Sequence, residues 1–233
     1  MRFLILSVSF IIGSARSLSL TSVAAPPPLN SPVFSLATVS ADGITDMNIL
    51  TYVSPVGIRP ARKWVVSLYK TTKTYENFLG PGTSHPRIAV LQLLRKKHAD
   101  LVYPLGGQSG RDVDKSALCS EKGFRWVSPK EMVLGDGATA SGGTDGEWPM
   151  LLPGCAAYYR VSVAAGASLL DAGDHEAVLL NIDDIAVESL GADDEEKACE
   201  GGDGNEHMST ALLRELGIIT DAGRAVPPVG EET

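Results

Sequence analysis

Apolar and polar positions alternate in short runs between about residue 32 and residue 188, and turn residues punctuate the runs. That is the spacing of strands rather than of long amphipathic helices. Residues 33–39 are β-rich and stop at Ala41-Asp42-Gly43, whose Asp-Gly pair predicts a hairpin with the return strand over 44–53. A third strand is expected over 64–69, after a turn at Arg59-Pro60, and the last two over 155–164 and 176–187. Short helices are predicted over 74–79 and over 112–120, the second capped by Asp112 and stopped by Gly123. Residues 88–94 suit either state, and 135–146 form a Gly/Thr/Ser loop without periodicity. Nothing alternates as strand–helix–strand, so the pattern is mainly β with inserted short helices, an antiparallel barrel rather than a doubly wound sheet.

Composition narrows the function classes. The chain of 233 residues, 44% hydrophobic and 21% charged, has room for one ordinary domain with tails. Its net charge of −8 argues against generic nucleic-acid binding. The charge is unevenly spread, with 16 Lys+Arg against 7 Asp+Glu up to residue 130 and 4 against 21 beyond it. A phosphate-bearing ligand would therefore be gripped by the first half. Cys119, Cys155 and Cys199 are odd in number and widely spaced, which indicates neither a disulfide framework nor a zinc site, and no metal is expected.

The ends read differently from the middle. Met1-Arg2, an apolar stretch over 3–12 and Gly13-Ser14-Ala15 have the form of a secretory signal, about half the ~20 residues that span a bilayer, so no stable membrane anchor is expected. Residues 16–23 are rich in Ser, Thr and Leu, and no acid precedes Asp42. A signal followed by such a transit-like stretch resembles the two-part leader of plastids of secondary origin, which implies organelle import; simple secretion is the alternative. The organisation expected is a leader with a Pro-rich spacer over 1–30, one domain over 31–188, an acidic linker over 189–208, and a short helix with a tail over 209–233. Ser209 or Thr210 caps that helix, and its Leu212, Leu213 and Leu216 must dock on the domain or on a partner chain.

The common nucleotide grips are missing: no Gly-x-Gly-x-x-Gly follows a strand and no Gly-x-x-x-x-Gly-Lys-Ser/Thr is present. Four other stretches carry candidate chemistry. Asn48-Ile49-Leu50-Thr51 and then Ser54 place amide and hydroxyl groups where a heterocycle could lie along a strand, although outward polar residues are also ordinary there. Ser67, Lys70, Thr71, Thr72, Lys73 and Thr74 crowd a strand-to-helix turn, which is either an anion site or a plain helix cap with solvated lysines. Ser109-Gly110-Arg111-Asp112-Val113-Asp114-Lys115 sets Arg111 and Lys115 beside a cap, for an anion or as a surface turn. Gly173-Asp174-His175 places a histidine at a strand start, where it faces a pocket or is simply polar.

In this order and at these distances the stretches resemble the flavin reductase-like family, the FMN-binding split β-barrel proteins, over about 31–188. Residues 109–115 look like that family's Ser-Gly-Arg-Asp-x-Asp-Lys motif throughout, and Asn48 to Thr51 like its Asn-x-x-Thr segment beneath the flavin ring. The resemblance implies FMN held by Asn48, Thr51, Ser54, Ser67, Lys70, Thr71, Thr72, Thr74, Arg111 and Lys115. It implies NADH or NADPH as electron donor, hydride transfer to flavin, and a homodimer with flavin at the subunit interface. His175 would orient the nicotinamide or relay a proton. A non-catalytic FMN- or haem-binding barrel is the alternative. The sequence departs from the family at Ser116, where an aromatic residue is usual, at Asn181-Ile182, where Gly-Glu is usual, and in the long segment 88–107.

Overall fold

A computed structural model describes residues 28–82, 88–132, 148–187 and 206–228. Most of the expected leader, the loop over 135–146 and the linker up to 205 lie outside the described residues. The strands are β1 (Phe34–Val39), β2 (Thr45–Leu50), β3 (Val53–Gly57), β4 (Lys63–Tyr69), β5 (Ile88–Leu93), β6 (Ala157–Val163), β7 (Leu170–Asp171) and β8 (His175–Ala186). The helices are α1 (Lys73–Phe78), α2 (Lys115–Glu121) and α3 (Thr210–Glu215). A 3₁₀ turn over Lys96–Leu101 and a π turn over Tyr103–Gly107 fill the segment between β5 and α2. No helix among the described residues is long and apolar enough to cross a membrane.

All strands join one antiparallel sheet in the order β2-β1-β5-β6-β8-β4-β3, with β7 added to β8. The hairpin predicted at Asp42-Gly43 closes β1 on β2: Gly43 takes φ 76°, a conformation a side chain disfavours, and Ser40 N–H donates to Ile44 C=O at 2.9 Å. The return strand expected over 44–53 breaks in two, because Thr51 and Tyr52 turn the chain from β2 into β3. Since β2 and β3 end the sheet order yet only those two residues separate them, the sheet must curl until its two edges meet there. A barrel split along the β2–β3 seam results. Residues 88–94, open from sequence, become β5 in the middle of the sheet, where an apolar run covered on both faces belongs. α2 is capped by Asp114, which accepts from Ser116 and Ala117 N–H, and not by Asp112.

Two cores follow from strand parity. Leu36, Leu50, Val66, Leu68, Leu91, Val161, Val178 and Leu180 fill the barrel, and α1 plugs one end with Phe78 and Leu79. Each such side chain, taken wholly out of water, stabilises the fold by about 1.5–3 kcal/mol. On the other face Val33, Ala37, Met47 and Val90 pack under Leu101, Leu105, Trp126, Met208 and Leu213. The C-terminal segment thus docks on its own domain: Val33 N–H donates to Met208 C=O at 3.0 Å, Met208 N–H to Leu94 C=O at 2.9 Å, and Ser209 caps α3. Leu213 is buried there, whereas Leu216 stays exposed.

The long segment after β5 is pinned by His98. Its Nδ1 accepts from Arg95 N–H at 3.1 Å, and Nε2 stands 3.1 Å from Pro153 C=O, so the ring is neutral with Nε2 protonated. Burial pushes its pKa down to about 4.

Candidate functional site

The candidate site lies where β4 ends and β8 begins, beside the turn between β2 and β3. Tyr69 and His175 are cross-strand partners, and Lys70 N–H donates to Asp174 C=O at 3.0 Å, which fixes the turn before β8 against the end of β4. The His175 ring lies 5.1 Å from the Tyr69 ring and 5.5 Å from the Tyr52 ring, with Nδ1 2.8 Å from Asp174 Oδ1. The imidazole beside it holds the Asp174 carboxyl below the usual carboxylate range. Tyr52 in turn is tied to β4, its C=O accepting from Ser67 N–H at 3.0 Å. Tyr52, the end of β4 and the start of β8 therefore share one corner of the barrel.

The strand-to-helix turn is a built cap. Thr72 Oγ1 accepts from Tyr75 N–H at 3.1 Å and donates to Tyr69 C=O at 2.8 Å, while Thr74 is wholly buried beside it with Oγ1 3.3 Å from Thr72 Oγ1. Arg111 reaches this turn from another loop: Nη1 donates to Thr71 C=O at 2.6 Å, and Nη2 and Nε donate to Glu76 at 2.8 and 3.3 Å. Lys73 meets the same carboxylate at 2.8 Å, and the two cations hold Glu76 below its ordinary pKa. Lys70 Nζ lies 2.7 Å from Asp171 Oδ1. Three cations are thus gathered, each against a carboxylate.

Lys115 does not join them. Its ammonium turns inward and donates to Met47 C=O at 2.7 Å and Leu105 C=O at 2.9 Å, with Asp46 Oδ1 at 3.7 Å. Burial lowers the Lys115 pKa and raises that of Asp46. The Asp46 carboxylate packs directly on Gly110, where a β-carbon would collide with it, so the glycine of the Ser-Gly-Arg-Asp run is a packing requirement. A cleft of about 420 Å³ opens beside this pair, between the β1–β2 turn, α1 and residues 110–116, with Lys73 and Arg111 on its wall. Lys115 accordingly anchors the Arg111 loop to β2 in place of the phosphate contact expected of it.

The remaining expected residues occupy the strands around the corner. Asn48 is buried in β2, and its Oδ1 has no hydrogen-bond partner. Thr51 lies in the turn, Ser54 is exposed on β3 opposite Val65, and Ser67 is half-buried on β4 opposite Ala177. Sequence reasoning missed Tyr52, Tyr69, Glu76 and Asp171. Tyr52 and Tyr69 adjoin residues that it did single out, but the carboxylates meet their cations only through the fold. No group of three or more His, Cys, Asp or Glu among the described residues could hold a metal ion.

These residues suit a flat heterocycle that carries a phosphate. An unmatched buried acceptor on Asn48 calls for an N–H donor, aromatic rings line the corner, and cations surround a capped turn close by.

Neither a family model nor a curated protein matches the sequence. Solved structures do. The chain is similar to flavoredoxin from Methanosarcina acetivorans, at 17% identity over 74% of this chain and 77% of that one, with a TM-score of 0.54. It is similar to an NADH:FAD oxidoreductase from Streptomyces globisporus, at 13% identity over 70% and 78%, TM-score 0.50. An FMN-binding protein from Thermus thermophilus with bound p-hydroxybenzaldehyde aligns at 17% identity over 72% and 82%, TM-score 0.50. The fold is therefore the split β-barrel found among flavin reductases and FMN-binding proteins.

Proposed function

We propose that the protein is an FMN-binding oxidoreductase in which NADH or NADPH reduces the flavin. One observation supports the reading: Tyr52, Lys70, Thr72, Arg111 and His175, drawn from four separate stretches of sequence, lie around the end of β4 and the start of β8. The names of the structural neighbours support both the flavin and the nicotinamide donor.

FMN would supply the hydride-accepting ring and the redox chemistry. The chain's own part is placement. Lys70, with Thr71 and Thr72, lies where a phosphate would be bound, and Arg111 fixes that turn in place. Asn48 would offer its carbonyl to a ring N–H, and Thr51 in the β2–β3 turn, Ser54 on β3 and Ser67 on β4 would add hydroxyls. His175, oriented by Asp174 and packed between two tyrosines, presents its imidazole at the rim of the corner, where it would face the nicotinamide or the reduced ring. Anaerobic addition of NADH or NADPH to the FMN-loaded protein tests this: the flavin bands should bleach faster than those of free FMN.

A second reading, FMN held without turnover, is favoured by Asn181. Its side chain is committed to a chain from Lys63 through Asn181 to Ser162, which ties β4, β8 and β6 together at a position where flavin reductases of this kind usually carry Gly-Glu. Bleaching no faster than free FMN, with FMN bound, would select it.

The same reading includes a homodimer, supported by Tyr52, Val56 and Ile58 exposed along β3 and the turns at its ends. α3 buries Leu213 on its own barrel and leaves Leu216 exposed. Delivery to a plastid is supported by the composition of residues 1–23.

A further inference from the structure

The three cations at the candidate anion site are not held alike. Arg111 uses both edges of its guanidinium, on Glu76 and on the Thr71 carbonyl, and Glu76 also takes Lys73. That network joins α1 to the Ser109–Asp112 turn and cannot release one member without loosening the rest. Lys70 is different. Its ammonium makes one direct ion pair, with Asp171, whose side chain is 70% exposed and belongs to the two-residue strand β7, while the Glu176 and Asp174 carboxylates act on it from farther off. An exposed single-point pair of this kind contributes little stability, so an incoming anion can replace it cheaply.

Asp171 Oδ1 has a second attachment, accepting from Gly173 N–H at 2.8 Å in the turn that leads to His175. When Lys70 leaves, the carboxylate therefore keeps a hydrogen bond and stays in place, a fixed negative charge beside the site.

We propose that Asp171 is a displaceable internal counter-ion of Lys70, a specificity-determining residue that sets how strongly the site prefers a flavin bearing a phosphate to one without. The inference rests on the FMN-binding reading and adds to it. A neutral ribityl alcohol has no charge with which to displace Asp171, whereas a phosphate monoester offers more charge and more acceptor oxygens than the carboxylate. The same carboxylate then repels the phosphate, so the site is held below the FMN affinity that its lysine could give.

The test compares FMN with riboflavin, followed by quenching of flavin fluorescence in the wild type and in Asp171→Asn, which keeps the oxygen facing Gly173 and removes the charge. FMN affinity should rise about twofold to fivefold in the variant, with riboflavin affinity unchanged. Unchanged or weaker FMN binding, or an equal shift for both flavins, would overturn the proposal. Lys70→Gln provides a second line should the first variant fold poorly: it should erase the preference for FMN while leaving riboflavin binding intact, and a retained preference would also overturn it. If the wild type binds neither flavin, the FMN reading itself falls and the inference with it, a result unlike any of the others.

Discussion

Arg111 Nη2 stands 2.8 Å from Glu76 Oε2, and through this pair the Ser109–Asp112 turn is held against the first turn of α1. Arg111→Ala should therefore weaken FMN binding roughly tenfold or more, through loss of the geometry around Thr71 and Lys70. Because both side chains are exposed, the thermal midpoint should barely change. A fluorescence titration beside a melting curve separates the two effects; a large drop in midpoint with unchanged FMN affinity would contradict this assignment.

Lys115 is predicted to matter for stability and not for phosphate. Lys115→Met removes the only cation within ion-pair distance of buried Asp46 among the described residues and strands two backbone carbonyls. The expected cost is about 3–5 kcal/mol, read from the denaturant midpoint. Asp46→Asn in the same chain should recover part of it. FMN affinity per folded molecule should change less than in Lys70→Gln.

This contrast shows how far the sequence could be read. The hairpin at Asp42-Gly43, the strands β1, β4, β6 and β8 and a helix cap at Ser209 or Thr210 were legible because each is set by neighbouring residues. That the stretches around Lys70, Arg111 and His175 belong to one candidate site was suggested only by motif order. Lys115 was not: whether a lysine at a helix start faces a ligand or three oxygens beneath it depends on Asp46, Met47 and Leu105, distant in the chain. The carboxylates Glu76 and Asp171 escaped for the same reason. β5 was ambiguous because a run buried on both faces has lost the alternation that separates strand from helix.

His98 predicts an acid-sensitive fold. Its pKa is 6.5 when unperturbed and about 4 in the folded protein, so between those values the unfolded chain binds more protons. Stability contributed at this site should fall as pH drops below about 6.5 and stop falling near 4, a loss of about 3 kcal/mol. The imidazole Cε1–H resonance of His98 should stay at its neutral position from pH 8 down to pH 5 or so; titration near 6.5 in the native state would refute the assignment.

Docking of the C-terminal segment on its own barrel makes unequal demands on neighbouring leucines. Leu213, 1% exposed, should cost about 2–5 kcal/mol when replaced by alanine. Leu216, 47% exposed, should cost under ~0.5 kcal/mol. Equilibrium unfolding of the two variants checks this. Equal costs that depend on protein concentration would place the helix on a partner chain instead.

The central claim is that residues spread from Asn48 to His175 make one flavin-holding corner. It is tested most directly by incubating the purified protein with FMN, passing it through a size-exclusion column and reading the visible spectrum of the protein peak. The account predicts oxidised-flavin bands co-eluting with the protein at close to one FMN per chain. A protein peak with no visible absorption, all the flavin trailing as free small molecule, would contradict it.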